Sequence, residues 1–73
     1  MSIELYTTVA LTEDLPGYGL KIGDTAMVIE HYPMPNGEDG YSLEGFGVAI
    51  KGITVEVRAS QIRPVAAPIS QSI

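Results

Sequence analysis

His31 is the only histidine in the chain. An imidazole does general acid–base work when a carboxylate orients it or a nucleophile stands beside it. Glu30 is adjacent, but alternation along an extended segment sends it to the opposite face. Ser42, Ser60, Ser70 and Ser72 lie in no nucleophile motif, so no catalytic triad is spelled out. Two acidic pairs, Glu13–Asp14 and Glu38–Asp39, stand on polar stretches that could chelate a hard cation. Their spacing lacks the alternating ligands of a calcium loop, and the ordinary reading is a solvated acidic loop. There is no cysteine, which removes disulfides and thiolate metal sites. The glycines around Tyr18 and before Ile53 precede no Gly-Lys-Ser/Thr, so they make no phosphate loop. These residues predict a non-enzymatic chain with no cofactor and no metal.

Binding chemistry is the alternative. Tyr6, Tyr18, Tyr32 and Tyr41 could form an aromatic strip for a proline-rich peptide. The tryptophan that such grooves favour is absent, and core packing with hydroxyls at the rim is the simpler reading. Lys21, Arg58 and Arg63 are dispersed within a chain of net charge −5, which repels phosphate backbones. Nucleic acid is therefore an unfavoured partner, and the cations read as salt-bridge partners. Acidity instead favours a basic protein. Glu13, Asp14, Glu38 and Asp39 would oppose such a partner, and Leu15, Pro16, Tyr18 and Leu20 would supply apolar contact.

The elements that hold these residues are short and extended. Ile3, Leu5, Thr7, Val9 and Leu11 alternate with Glu4, Tyr6, Thr8 and Ala10, which predicts a half-buried strand with odd positions inward. Thr12 to Lys21 reads as a long loop, with Pro16-Gly17 as a turn signal and Gly19 supplying a positive φ. Leu15 and Leu20 are its apolar residues and are expected to fold back as a plug. Gly23-Asp24 marks a tight turn. A second strand follows from Thr25 to Tyr32, with Ala26, Val28 and Glu30 on one face and Met27, Ile29 and His31 on the other. Apolar residues on both faces predict a central strand, or one that bends hard around a small barrel. Pro33 and Pro35 stop it.

Asn36 to Gly40 is a polar tip, and Tyr41 to Phe46 reads as a third strand. Gly45 and Gly47 predict a bulge or bend there. Val48 to Ile50 lead to a hairpin turn at Lys51-Gly52, and Ile53 to Arg58 form the fourth strand. Ala59 to Ile62 make a short helical turn, and Arg63 to Val65 a last strand beside the first. Residues 1–65 thus form a single domain. The tail, 66–73, is loosely ordered unless Ile69 and Ile73 anchor it.

The fold class is all-β: a small SH3-like five-stranded barrel with a long first loop and a short 3-10 turn before the last strand. The run VALTEDLPGYGLKIGDTAMVIEHY resembles the signature of a bacterial family, domain of unknown function 4926. Val9, Leu11, Asp14, Leu15, Pro16, Gly19, Leu20, Gly23, Asp24, Val28 and Tyr32 carry the match, and Gln61-Ile62-Arg63-Pro64 matches the closing segment. Ala26 departs from the glycine usual there, and the stretch from Gly45 to Gly52 is richer in glycine than the pattern.

That resemblance implies a stand-alone small protein with no established activity, in some members encoded beside a second protein as a toxin–antitoxin or immunity pair. The expectation is a protein-binding module with such a partner. The alternatives are an accessory subunit or homodimerising barrel of a larger assembly, and, less favoured, a nucleic-acid-binding barrel. No apolar run reaches the length of a membrane span. Glu4 stands where a signal peptide would carry a cation, so a cytoplasmic location is expected.

Overall fold

The computed structural model describes residues 3–46 and 54–65. Among them are five strands: β1 (Thr8–Leu11), β2 (Thr25–Tyr32), β3 (Gly40–Glu44), β4 (Val55–Arg58) and β5 (Ile62–Pro64). All neighbours pair antiparallel, in the order β4-β3-β2-β1-β5. β2 is central, the first of the two readings that its apolar faces allowed. β5 lies beside β1, with Leu11 opposite Ile62 and Val9 opposite Pro64. This order, with the last strand returned to the first, is compatible with the expected SH3-like arrangement. Among the described residues no ladder joins β4 to β5. A 3-10 turn, Ala59–Gln61, connects these two edges of one curved sheet.

The concave face of the sheet carries the core. Val9, Leu11, Val28, Tyr41, Leu43, Val55, Val57 and Ile62 are buried there, with Ala26. Leu15 and Leu20 close one end, at 9% and 8% exposure. Each donates its backbone N–H to the other's carbonyl, at 2.9 and 3.1 Å, so the loop is pinched shut between them. A 3-10 turn over Pro16–Tyr18 fills the loop tip, and Gly19 ends it at φ +73°. At Gly23 (φ +91°) the chain turns into β2. Asp24 holds that turn by accepting the Lys21 N–H at 2.9 Å on Oδ2.

The first strand is shorter than its alternation predicts. Leu5 and Thr7 are exposed, although Ile3 still packs against the core. The cause is Tyr6, which sits at φ +63° and bends the backbone before β1 begins. The bend is held by the Tyr6 N–H on the Val28 carbonyl at 2.6 Å and by Thr7 Oγ1 on the Glu4 carbonyl at 2.6 Å. A left-handed backbone costs a side chain with a Cβ about 1–2 kcal/mol, and Asn bears it best. Tyr6 is 70% exposed, so little packing offsets that cost. Tyr6→Asn should therefore raise stability by about 1 kcal/mol, read as a higher urea midpoint. An unchanged or lower midpoint would mean that the ring packs usefully where it stands.

A second departure lies in β2. The β2–β3 register slips between Val28 and Glu30, which leaves Ile29 as an extra residue. Val28 opposes Leu43 before the slip; Glu30 opposes Ser42 and His31 opposes Tyr41 after it. The faces of Glu30 and His31 are thereby exchanged relative to the expectation from simple alternation. Glu30 faces outward with Ser42, and His31 faces inward with Tyr41. The bulge or bend expected around Gly45 is a bend: β3 ends at Glu44, Gly45 adopts φ +94° and the chain bends at Phe46. Val48 to Ile53 and the tail anchors Ile69 and Ile73 lie outside the described residues.

Candidate functional site

The polar residues gather in three places. The first is the turn Ala59–Gln61, where the two acidic stretches meet. Glu38 accepts the Ser60 backbone N–H at 2.7 Å and the Ser60 hydroxyl at 3.1 Å. Its Oε2 also stands 3.4 Å from Arg58 Nε. Glu13 accepts from Gln61 Nε2 at 3.0 Å, and the Thr12 hydroxyl donates to the Ser60 carbonyl at 2.7 Å. Gln61 is buried, and its Oε1 accepts the Arg58 N–H at 2.8 Å. A side-chain amide thus ties the first loop, β4 and the 3-10 turn together, with both of its ends used.

The second is the His31–Asp39 pair. His31 Nε2 lies 2.7 Å from Asp39 Oδ2, and its ring stacks on Tyr41 with centroids 4.8 Å apart. Asp39 Oδ1 accepts the Met34 N–H at 3.1 Å, which fastens the polar tip back onto β2. His31 therefore has an orienting acid, but it is Asp39, not Glu30. Among the described residues no hydroxyl joins this pair. Ser42 points to the other face of the sheet, where Glu56 and Tyr32 hold it.

The third place is the outer face of β2, β3 and β4. The row Glu30–Ser42–Glu56 runs across the three strands, with Tyr32–Gly40–Arg58 beside it. The Ser42 hydroxyl lies 2.9 and 2.7 Å from the two oxygens of Glu56 and 2.9 Å from the Tyr32 hydroxyl. A carboxylate only accepts, so Ser42 gives its one proton to Glu56 and Tyr32 donates to Ser42. Gly40 has no side chain, and above it opens a groove of about 450 Å³. Tyr32, Met34, Glu38, Glu56 and Arg58 contribute to its lining.

The eight residues expected to face a partner lie in different settings. Leu15 and Leu20 are buried in the core and offer no contact surface, which corrects their assignment; the plug role takes both side chains. Asp14 Oδ1 accepts the Ile22 N–H at 2.8 Å and so stiffens its own loop. Glu13, Glu38 and Asp39 likewise bond within the chain, Glu13 through one oxygen and Glu38 and Asp39 through both. Pro16 and Tyr18 are exposed. The turn residues Gly19, Gly23 and Asp24 do what their types implied. Among the described residues no three acidic or histidine side chains come close enough to share a metal ion. The groove over Gly40 went unread because its walls come from three strands. Only the pairing register brings Tyr32, Ser42 and Glu56 together.

Comparison with known families decides the affiliation. The family described as Domain of unknown function (DUF4926) matches residues 5–63. The chain belongs to this family. The matched span takes in β1 to β4, the first two residues of β5, both described 3-10 turns and the groove-lining residues named above. Comparison with curated proteins and with solved structures gives no match.

Two of the carboxylates are held below their ordinary range. Asp39 is lowered from 3.8, first by the His31 hydrogen bond and then by the Met34 N–H. Glu38 is lowered from 4.5, first by the Ser60 N–H, then by the Ser60 hydroxyl, with Arg58 adding to it. A carboxylate whose folded value is depressed contributes stability above its unfolded value. That contribution is lost as the pH falls through the folded value. The urea midpoint should therefore drop on acidification from below about pH 5. The double variant Glu38→Gln, Asp39→Asn should be less stable at pH 7 and should show a flatter acid limb. Parallel limbs for the two proteins would remove these carboxylates as the cause.

Proposed function

We propose that the chain is a non-enzymatic protein-binding module. The observation that carries this reading is the outer sheet face. It exposes Met27, Tyr32 and Met34 among Glu30, Glu44 and Glu56. Apolar side chains among three carboxylates, with Arg58 in the neighbouring row, favour a protein surface of opposite charge. The polar groups support the same reading from the other side. His31 and Asp39 pair on one face and Ser42 bonds to Glu56 on the other, so the histidine meets no hydroxyl nucleophile among the described residues. The partner is a basic protein, and the reading includes an antitoxin or immunity pairing with a product encoded alongside, in the cytoplasm. No helix among the described residues is long and apolar enough to cross a membrane.

Co-expression with the neighbouring gene product is the test. A complex that survives size-exclusion chromatography supports the pairing, and two separate species overturn it. The competing reading, an accessory or self-associating barrel, rests on β4, whose described hydrogen-bonding partner is β3 alone. Light scattering that gives a dimer mass for the isolated chain would favour it.

A further inference from the structure

We infer that the groove above Gly40 seats a single lysine or arginine side chain presented by the partner; this rests on the protein-binding reading above. Charge selects that occupant. Arg58 is the groove's cation, and Glu38 faces it at 3.4 Å. Their charges offset each other at the groove's end. Glu56 remains, and among the described residues no cation lies within ion-pair reach of it. Its known donors are hydroxyls, Ser42 at 2.7 and 2.9 Å and Thr54 at 3.4 Å. A carboxylate has about four acceptor positions, so capacity remains for a charged donor. Glu30 lies two strands away in the same row and adds to the negative field.

The second element is the aromatic wall. The Tyr32 hydroxyl is tied to Ser42, and Ser42 is buried. The ring is therefore held in place at the lip, while the residue stays 42% exposed. A cation over a tyrosine face is attracted by the ring quadrupole, and a nearby carboxylate completes the site. Met34 supplies apolar surface for the methylene stem of such a side chain. The groove requires Gly40. A Cβ there would stand outward in the row between Tyr32 and Arg58, 3.6 Å from the Val57 carbonyl oxygen and 3.8 Å from Tyr32 Cβ. These are ordinary contacts, so a methyl group fits the fold and occupies the groove floor.

The test is an amide chemical-shift titration of the isotope-labelled chain with acetyl-Gly-Arg-Gly-amide, acetyl-Gly-Lys-Gly-amide and acetyl-Gly-Glu-Gly-amide. Saturable shifts at Tyr32, Gly40, Glu56 and Arg58 are expected with the two cationic peptides and not with the acidic one. Glu56→Gln should weaken binding about tenfold, since it removes the charge and keeps the shape. Tyr32→Leu should weaken it about threefold. Gly40→Ala should abolish the shifts while leaving the spectrum dispersed, which shows that the variant is folded. Shifts spread over Glu4, Glu13 and Glu44, and unchanged in Glu56→Gln, would overturn the site. So would changes at the groove that grow with protein concentration alone, since these would assign it to a second copy of the chain. A partner complex retained in full by both Glu56→Gln and Gly40→Ala would sink the groove and leave the module reading standing. Failure of the wild-type chain to form any complex counts against the module instead.

Discussion

Tyr41→Ala leaves the chain largely unfolded at room temperature without denaturant. Tyr41 lies at 1% exposure near the middle of β3, paired on one side with His31 and on the other with Val57. It is the largest of the fully buried side chains among the described residues. Truncating a buried aromatic to alanine costs about 3–5 kcal/mol. A domain of this size draws only about 3–5 kcal/mol from its core, and here no disulfide adds to it. The loss is therefore comparable with the whole stability. Two further contacts go with the ring. Its hydroxyl accepts the Ile3 N–H at 3.2 Å, which fastens the N-terminal segment, and its face stacks on His31. Far-UV circular dichroism and amide dispersion would report the collapse. Tyr41→Phe isolates the hydroxyl and should cost only about 1 kcal/mol. A Tyr41→Ala protein with a native spectrum would show that the core closes over the gap.

The next largest effect is expected at Leu20. Leu20→Ala should lower stability by about 2–4 kcal/mol through the lost burial and the cavity left at the end of the core. It should also open the loop, because Leu15 and Leu20 bond to each other across its neck. Limited proteolysis between Thr12 and Lys21 should accelerate accordingly. Pro16→Ala and Tyr18→Ala, on the exposed tip, should leave the urea midpoint nearly unchanged. The contrast separates a structural plug from a docking loop. If Leu20→Ala weakened partner binding at unchanged stability, Leu20 would return to the contact surface.

Several elements could be read without coordinates, and each for a local reason. β2 begins at Thr25 after a Gly-Asp turn and ends at Tyr32 before proline, as expected. Proline cannot donate to a ladder, so that stop is written in one residue. The plug was legible because two leucines in an otherwise polar loop have nowhere else to go. The short turn before the last strand, and the return of that strand to β1, followed from the spacing of the final segments. The polar residues were harder to place. Their types signalled acid and affinity for cations, but types alone do not say which backbone groups they cap. Glu13, Asp14, Glu38 and Asp39 were read as facing outward for a partner, and each turned out to bind its own chain.

By itself the sequence determined the fold class, the return of the last strand to the first and the turns, because periodicity, glycine and proline act on neighbouring residues. The tertiary structure alone decided the bend at Tyr6, the extra residue at Ile29 and the groove over Gly40. A bulge costs a strand nothing that its own alternation reveals; it is set by what the facing strand presents. Once Ile29 is left out of the ladder, Glu30 and His31 change faces. His31 then meets Asp39, and Ser42 meets Glu56 and Tyr32. Contacts of this kind depend on register between strands distant in sequence, which no single segment encodes.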